Sequence, residues 1–314
     1  ILKKFGTLSM SDALQPAITY CEEGFAIRPQ VHSFWTTPSI SGRIARTRGM
    51  TEDEATAKIY TNNNGLLYGV GETLKNPDMA ETYRNIANHG VEDFYTGGIA
   101  KKISDDMATN GGLLTMDDLA NCRSIETSPL VTYYRGYKVS TNQPPGGGLV
   151  IVLMLNILNH FDLRSMGHNS PEYISTVSEA MKIATVEKDN RMGDPKFFDI
   201  PLGELLSPEY SLAMAERIKR GEKTSVIRLN SGADPKETTH ICVADNLGNC
   251  VTMTHSLGSS SGVVTDGLGF MYNNCMMVFD PRPGRSGSIA PGKARFTALS
   301  PTIVFKNDKP FLLV

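Results

Sequence analysis

The chain has 314 residues, of which 40% are hydrophobic and 20% charged, and its formal net charge is −2. This composition is typical of a globular protein with one large domain or two ordinary ones. A nearly neutral chain lacks the electrostatic footprint of a nucleic-acid-binding protein. The longest apolar run, residues 149–155, is far shorter than the roughly 20 residues that a membrane-spanning helix needs. We therefore expect no nucleic-acid partner and no membrane span.

The part of the chain before about residue 225 predicts mainly helices. Their expected starts combine an N-cap side chain with acidic residues or a proline in the first turn. A further helical run, residues 149–159, follows a break at residues 143–148. The capped helices are one starting within residues 50–55 with Thr51 as cap, one from Asn76 to about residue 87, one from Ser170 to before Gly193, and one from Ser207 to a stop at Gly221.

After about residue 236 the pattern changes to short runs rich in Val, Ile, Cys and Thr, which is typical of strands. Residues 240–244 and 249–255 flank a good hairpin loop at 245–248. Residues 269–273, 302–305 and 311–314 predict further strands, with a turn at 306–310. A helical part followed by a strand-rich part predicts the α+β fold class.

Metal and disulfide chemistry are not indicated. The five cysteines are an odd number and include no C-x-x-C pair, and the six histidines lack metal-ligand spacing. We expect no metal and no organic cofactor. Cys242 and Cys250 lie in strand patterns, which favours small buried side chains. Basic clusters such as Arg43, Arg46 and Arg48 indicate solvated faces.

The two ends of the chain carry little information about location. Residues 1–5 lack the extended apolar core of a signal peptide. The chain starts without Met and stops in a strand-like pattern at Val314, so both ends look cut. The compartment therefore stays open, with a lean toward the cytoplasm.

Two glycine-rich motifs are candidates for a functional site. Residues 258–262 match G-x-S-x-G, but a nucleophile elbow needs a following helix, and residues 263–267 are turn- and strand-like. We expect a loop there. Residues 146–148 precede a helix and could cradle an anion. They lack the Lys-Ser/Thr of a P-loop, so a simple backbone turn is the favoured interpretation.

Thr238 opens a strand-like run and has a possible use that a surface threonine lacks. Cleavage between Glu237 and Thr238 would give Thr238 an α-amino group beside its own hydroxyl. Nucleophile and general base would then lie in one residue. The dipeptide alone leaves an ordinary strand-starting threonine as the simpler interpretation.

Several motifs along nearly the whole chain resemble the γ-glutamyltransferase family, in the family's order. The resemblance implies an N-terminal-nucleophile (Ntn) hydrolase with an αββα four-layer sandwich. The motifs are residues 5–7, 15–17, 94–97, 110–115, 144–145, 179–182, 193–195, 238–240, 245, 248–249, 273–274 and 300–304.

The resemblance also implies a precursor that cuts itself before Thr238. The products would be a large-subunit portion, residues 1–237, and a small-subunit portion, residues 238–314, which stay together as one structural unit. Thr238 would attack the carbonyl of Glu237 during self-cleavage and an amide substrate during turnover, with water or an amine as acceptor. Ser256 stands where the family keeps a second hydroxyl, which would orient the nucleophile.

The family's substrate-binding positions are altered. Val278 stands where glutathione-cleaving members bind the α-ammonium with an aspartate, and Cys275 and Gly258 replace a glutamine and an asparagine. An ammonium buried beside valine would lack a counter-charge. The adjacent serine pair becomes Thr297-Ala298.

The remaining substrate-binding candidates are Asn274, Thr297, Lys293 and Arg295, the last two as anchors for a substrate carboxylate. We expect a small-molecule acyl amide as substrate and leave homo-oligomers open. A glutaryl- or cephalosporin-acylase-type amidase and a non-catalytic relative with a binding or structural role are the alternatives. The family's carboxylate-gripping arginine and oxyanion glycines are expected before Ile1 and after Val314.

Overall fold

The computed structural model describes residues 1–38, 46–227, 237–258 and 260–314. Among these residues, two compact units are distinguished. The first contains the chain up to Ile125 together with Leu257–Asn274. The second begins at Glu126 and also contains Thr238–Ser256 and Cys275–Val314. Each unit therefore draws residues from both sides of the expected cleavage site.

Strands also occur in the part of the chain that the sequence pattern predicts to be mainly helical, because four of the described strands lie before residue 225. The described helices are α1 Leu2–Phe5, α2 Met10–Glu23, α3 Pro29–Thr36, α4 Arg46–Glu52, α5 Glu54–Tyr60, α6 Pro77–His89, α7 Glu92–Thr96, α8 Gly98–Thr109, α9 Met116–Asn121, α10 Gly148–Leu158, α11 Pro171–Arg191, α12 Leu202–Leu205 and α13 Pro208–Lys219. The strands are β1 Phe25–Ala26, β2 Thr73–Leu74, β3 Leu130–Tyr134, β4 Tyr137–Thr141, β5 Glu237–Ala244, β6 Cys250–Gly258, β7 Ser260–Val264, β8 Met271–Asn273, β9 Thr302–Lys306 and β10 Lys309–Leu313.

Three of the four predicted helix starts are confirmed. The side chains of Asn76, Ser170 and Ser207 each accept a hydrogen bond from the backbone N–H three residues on, at 3.0–3.1 Å. Each cap is followed by proline at the first helical position, where its missing N–H costs no intrahelical bond. Helix α6 continues two residues beyond the predicted end, to His89.

The fourth start was wrong. Thr51 lies inside α4 and donates its hydroxyl to the Thr47 carbonyl at 2.9 Å. Asp53 is the true cap, because its carboxylate accepts from the N–H of Thr56, at 2.8 Å, at the start of α5. Thr51 is helical, whereas Asp53 has the extended backbone, with φ −79° and ψ 121°, that an N-cap residue needs.

The core of the second unit lies between a four-stranded antiparallel sheet, in the order β10-β9-β4-β3, and nearby helices. Helix α10 is apolar almost all round, and it packs on β3 and α11. This is expected of a helix that is covered on more than one side. The buried residues of this cluster are Leu130, Leu149, Val152, Leu153, Ala184, Met192 and Leu205.

The β3–β4 hairpin was missed in the predominantly helical prediction for this part. Arg135 and Gly136 both have positive φ, 51° and 84°, as a two-residue type I′ turn requires. Strand β4 also pairs with β9, so that Val139 lies opposite Val304. The sheet therefore combines strands from both sides of the expected cleavage site, which a local sequence pattern does not reveal.

The strands predicted after residue 236 are present, with modest differences in length. Strand β8 is shorter than its predicted range and starts at Met271. In the β9–β10 turn, Asn307 and Asp308 have φ of 50° and 58°, again the type I′ geometry. The α+β fold class is confirmed. None of the helices that the structure describes combines the length and apolarity needed to cross a membrane.

Two expectations about side-chain burial were wrong. Arg46 is buried; its Nη1 donates to the Phe34 carbonyl at 3.0 Å, and its guanidinium lies 4.3 Å from the Phe34 ring centre. Arg48 is exposed and pairs with Glu52, whereas Arg43 lies outside the described residues. Cys242 is exposed rather than buried and contacts His240 and Thr252, whereas Cys250 is half-buried.

Candidate active site

Thr238 and Ser256 face each other across the β5–β6 hairpin, with 3.0 Å between their side-chain oxygens. The hairpin register explains the approach. The N–H of Asp245 donates to the Asn249 carbonyl at 3.0 Å, and the same pairing continued along the strands sets Thr238 opposite Ser256. Either hydroxyl can be the donor. The pair is therefore within the reach required for proton transfer or orientation.

The loop of this hairpin is held by one carboxylate. Asp245 accepts hydrogen bonds from the N–H of Leu247 at 2.9 Å and of Asn249 at 2.8 Å, and from the Asn249 side chain at 2.7 Å. These bonds, those from Asn249 first, lower the pKa of Asp245 below its ordinary value. The loop thereby specifies the pairing register that brings the two hydroxyls together.

The same face of the hairpin continues as a row of polar side chains, which we call the polar row. His240 Nδ1 lies 2.8 Å from Thr254 Oγ1, and His240 Nε2 lies 3.1 Å from both Thr252 Oγ1 and Cys242 Sγ. Thr252 Oγ1 donates to the main-chain oxygen of Val314 at 2.9 Å. The polar row consists of Thr238, His240 and Cys242 on β5 and Thr252, Thr254 and Ser256 on β6.

Three predicted substrate-binding residues contact backbone groups in their own neighbourhood. Lys293 Nζ donates to the Ser288 carbonyl at 2.8 Å and lies 5.9 Å from the ring centre of Phe197. Arg295 donates to the adjacent Phe296 carbonyl at 3.4 Å. Thr297 Oγ1 accepts from the Leu299 N–H at 3.2 Å. Lys293 thus has a local structural role, and its use as a substrate anchor stays a prediction.

The retained candidate Asn274 and the substituted positions after it fall in different units. Asn274 belongs to the first unit, and its N–H donates to the Leu257 carbonyl at 3.2 Å. Cys275–Val278 form a 3₁₀ turn in the second unit. The side chain of Val278 is 41% exposed and that of Met276 62%. This turn therefore presents apolar side chains, and Val278 offers no charged group.

The triple glycine at 146–148 forms a braced turn. Its three N–H groups donate to the Gln143 carbonyl, the Leu299 carbonyl and Asn142 Oδ1, at 2.9 Å each. A Cβ on Gly147 would lie 2.6 Å from the Ala298 carbonyl oxygen, so close approach of two backbones requires glycine. Because these amides are already used, the turn is not built to cradle an anion, which agrees with the favoured interpretation.

The G-x-S-x-G motif is not a nucleophile elbow. Strand β7, not a helix, follows Gly258, so the expected loop is instead largely strand; Ser259 lies outside the described residues. Gly262 has a φ of 79°, and a Cβ added to it would lie 2.8 Å from Gly49 Cα. The second glycine of the motif therefore serves a close contact with the backbone of α4.

Cavities do not identify this site. A cavity of about 630 Å³ in the first unit is lined by residues including Asp53, Asp106 and Tyr272. One of about 420 Å³ in the second unit is lined by residues including Gln143 and Phe198. Thr238 lines neither. The hydroxyl pair defines the candidate site, because a reacting group is recognised by its chemistry and its partners rather than by cavity volume.

His240, Thr252 and Thr254 were not singled out from the sequence as site residues. A usable signal existed, because alternate residues on a strand share a face. His240 therefore lies on the face of Thr238, and Thr252 and Thr254 on that of Ser256. Only the cross-strand register, however, reveals which of these side chains meet.

The family model for gamma-glutamyltranspeptidase matches residues 1–314, and the chain belongs to this family. It is 35% identical over 311 residues to the Acylase ACY 1 proenzyme of Pseudomonas sp. (strain SE83), covering 98% of this chain and 54% of that relative. It is 31% identical over 329 residues to the Glutathione hydrolase proenzyme of Escherichia coli (strain K12), covering 99% and 55%. The chain thus spans a little over half the length of these relatives.

Solved structures agree with this assignment. The cephalosporin acylase from Bacillus halodurans matches with a TM-score of 0.85 and 30% identity, over 99% of this chain and 56% of that one. The gamma-glutamyltranspeptidase of Helicobacter pylori matches with a TM-score of 0.63 and 28% identity, over 74% and 66%. The expected Ntn-hydrolase fold is therefore confirmed.

Proposed function

We propose that this chain carries the nucleophile of a self-cleaving amide hydrolase or acyltransferase, with Thr238 as nucleophile and Ser256 as the residue that orients it. The observation that carries the proposal is the 3.0 Å separation of the two hydroxyl oxygens at the start of β5. Membership of the gamma-glutamyltranspeptidase family supports it. Several relatives are named as proenzymes, which supports processing into two subunits.

Self-cleavage would proceed in two steps. Thr238 Oγ1 attacks the carbonyl carbon of Glu237, the peptide C–N bond breaks, and an ester to the threonine oxygen replaces the amide. Water then hydrolyses the ester. The products are a carboxylate at Glu237 and an α-amine at Thr238, which separate the portions 1–237 and 238–314.

Turnover would use the same oxygen. The new α-amine accepts the hydroxyl proton as Thr238 attacks an amide carbonyl, the leaving amine takes a proton, and an acyl-enzyme remains. Water or a second amine then releases the acyl group. Ser256 holds the hydroxyl in position throughout, and this scheme needs no metal or organic cofactor.

The first candidate donor is a γ-glutamyl amide, which the family and the glutathione hydrolase relatives support. The second is an amide of a glutaryl-type acyl group, as in an acylase. Val278 favours this second candidate, because valine offers no counter-charge to an α-ammonium group. The acylase relatives support it as well.

The test is turnover of two matched anilides, γ-glutamyl and glutaryl, by the purified protein, with Thr238→Ala as control. We expect release of aniline from at least one compound by wild type and from neither by the variant. Preference for the glutaryl compound would support the acylase candidate, and preference for the γ-glutamyl compound would refute the argument from Val278. Equal turnover by Thr238→Ala would refute the proposed nucleophile, and no turnover of either compound would favour the non-catalytic alternative.

A further inference from the structure

The imidazole of His240 joins the two strands of the hairpin next to the hydroxyl pair. We propose that His240 is a positioning residue: its two ring nitrogens hold β5 and β6 together beside the hydroxyl pair and thereby keep Thr238 Oγ1 within reach of Ser256. This inference rests on the proposed function, because it concerns the geometry of the same nucleophile. It assigns a positioning role to His240, with Thr252 and Thr254 as its partners, and the donors and acceptors of their hydrogen bonds support that role.

The directions of these hydrogen bonds follow from the contact with Val314. Thr252 has one hydroxyl proton, and it donates that proton to the oxygen of Val314. Thr252 Oγ1 can therefore only accept from His240 Nε2, 3.1 Å away, and a hydrogen bond between them places the ring proton on Nε2. Cys242 Sγ, also 3.1 Å from Nε2, is then a second acceptor. A neutral imidazole carries one N–H, so Nδ1 is an acceptor and the Thr254 hydroxyl is its donor, at 2.8 Å. The network assigns the Nε2–H tautomer to His240.

The result is a directed chain of hydrogen bonds from Thr254 through His240 and Thr252 to Val314. The chain crosses from β6 to β5, returns to β6, and ends at the residue after β10. One rigid ring thus fixes two hydroxyls of the opposite strand at once. The position of Ser256, two residues beyond Thr254 on the same face, follows from this fixation.

The Asp245 loop sets the register at one end of the hairpin, and the His240 contacts lie toward the other end, beside the hydroxyl pair. On the opposite face, Ile241 and Val251 are each 44% exposed and Met253 is 40% exposed within the described residues. Strands without a firmly buried face are prone to register slippage, and a one-residue slip moves every side chain to the opposite face. A slip would separate Thr238 from Ser256.

The decisive experiment compares substitutions of the two histidines of the hairpin in the purified protein. His240→Ala removes both ring contacts. His240→Asn keeps a polar group near the Nδ1 position and His240→Gln keeps one near Nε2. His255→Ala is the matched control, because His255 is exposed and lies on the opposite face beside Ser256.

The readouts are the self-cleavage rate on denaturing gels, kcat and KM for the better anilide, and Tm. We expect His240→Ala to lower the cleavage rate and kcat about 10- to 100-fold, since misplacing a reacting group by 1 Å can cost about 100-fold. KM and Tm should change little. His240→Asn should retain more activity than His240→Gln, because its contact with Thr254 lies nearer Ser256, and His255→Ala should match wild type.

Three results would overturn the proposal. One is wild-type kinetics in His240→Ala. Another is equal loss in all three His240 variants with Tm falling in parallel, which indicates a purely structural role. The third is an Nδ1–H tautomer in the ¹⁵N spectrum of the imidazole, whereas the Nε2–H tautomer together with the kinetic pattern would support the proposal.

Failure of the proposed function can be distinguished from failure of the proposal for His240. In that case wild type itself neither cleaves nor turns over an amide. Crystal structures of wild type and His240→Ala then decide the positioning claim. A Thr238–Ser256 separation that grows in the variant supports it, and an unchanged separation of about 3 Å, an ordinary hydrogen-bond length, overturns it.

Discussion

The β5–β6 hairpin and the four-stranded sheet lie in the same unit but are held together by different forces. The sheet packs its apolar side chains under α10, and Leu149 and Leu153 are almost completely buried. The hairpin is joined by side-chain hydrogen bonds along the polar row, much of it exposed. Burial supplies most of the free energy of folding, whereas directional hydrogen bonds specify geometry. The chain therefore separates the part that sustains folding from the part that positions the proposed nucleophile.

The largest expected effect on stability concerns the four-stranded sheet and the helix α10 that covers it. Leu153→Ala removes a buried side chain from α10 and should lower the free energy of unfolding by about 2–5 kcal/mol. Chemical unfolding of wild type and variant measures the difference. The fraction that stays folded should cleave itself at the wild-type rate. A rate that falls with stability would show that the two regions are not separate in function.

The next largest effect concerns the β5–β6 hairpin and is an effect on reaction rates. Ser256→Ala should lower the rates of self-cleavage and turnover by about 100-fold, the low end of what a positioned proton-transfer partner contributes. Tm should stay nearly constant, because Ser256 is not part of the buried core. Ser256→Thr keeps the hydroxyl and serves as the matched control, with at least partial activity expected. An Ala variant as fast as wild type would remove Ser256 from the mechanism.

A third prediction concerns the braced glycine turn. Gly147→Ala places a methyl group 2.6 Å from the Ala298 oxygen, and such overpacking should cost about 1–3 kcal/mol of folding free energy. Gly203→Ala is the matched control, because a Cβ there meets no atom within 4 Å. Thermal unfolding of the two variants should therefore differ clearly. Equal Tm values would show that the Thr297–Leu299 segment moves aside without cost.

The smallest expected effect is a pH dependence at the hairpin loop. Folding lowers the pKa of Asp245, through hydrogen bonds led by those from Asn249. Its stabilising contribution is therefore fully present above the unfolded pKa of about 4 and is lost as the pH falls through the lower folded pKa. Asp245→Asn should reduce the stability difference between neutral and acidic pH. Thermal unfolding at both pH values, for wild type and variant, tests this, and identical differences would contradict it.

Local signals carried the successful predictions of the fold. The caps at Asn76, Ser170 and Ser207 involve residues only three apart, so the sequence contains all that is needed. The turn at Arg135-Gly136 was equally local and could have been identified from its Tyr- and Val-rich flanks. The pairing of β4 with β9 and the burial of Arg46 against Phe34 depend on tertiary contacts. No local pattern predicts those.

The candidate site divides in the same way. The residues alone indicate Thr238 as a potential nucleophile and predict the hairpin loop after it, whereas Ser256 and the proposed roles of both residues come from the family resemblance. The loop predicts a hairpin, but the partners of His240 depend on a register that Asp245 and Asn249 fix in three dimensions. Likewise, the hydrogen bond of Lys293 to Ser288 arises from the fold of its own loop. Residue type alone suggests a carboxylate anchor at that position.

Intact mass combined with N-terminal sequencing of the purified protein tests the central claim most directly. We predict two fragments that stay together under native conditions, the second of which begins with Thr238. The Thr238→Ala variant should give one uncut chain. A wild-type chain that stays whole after long incubation, or a fragment that begins at another residue, would contradict the account.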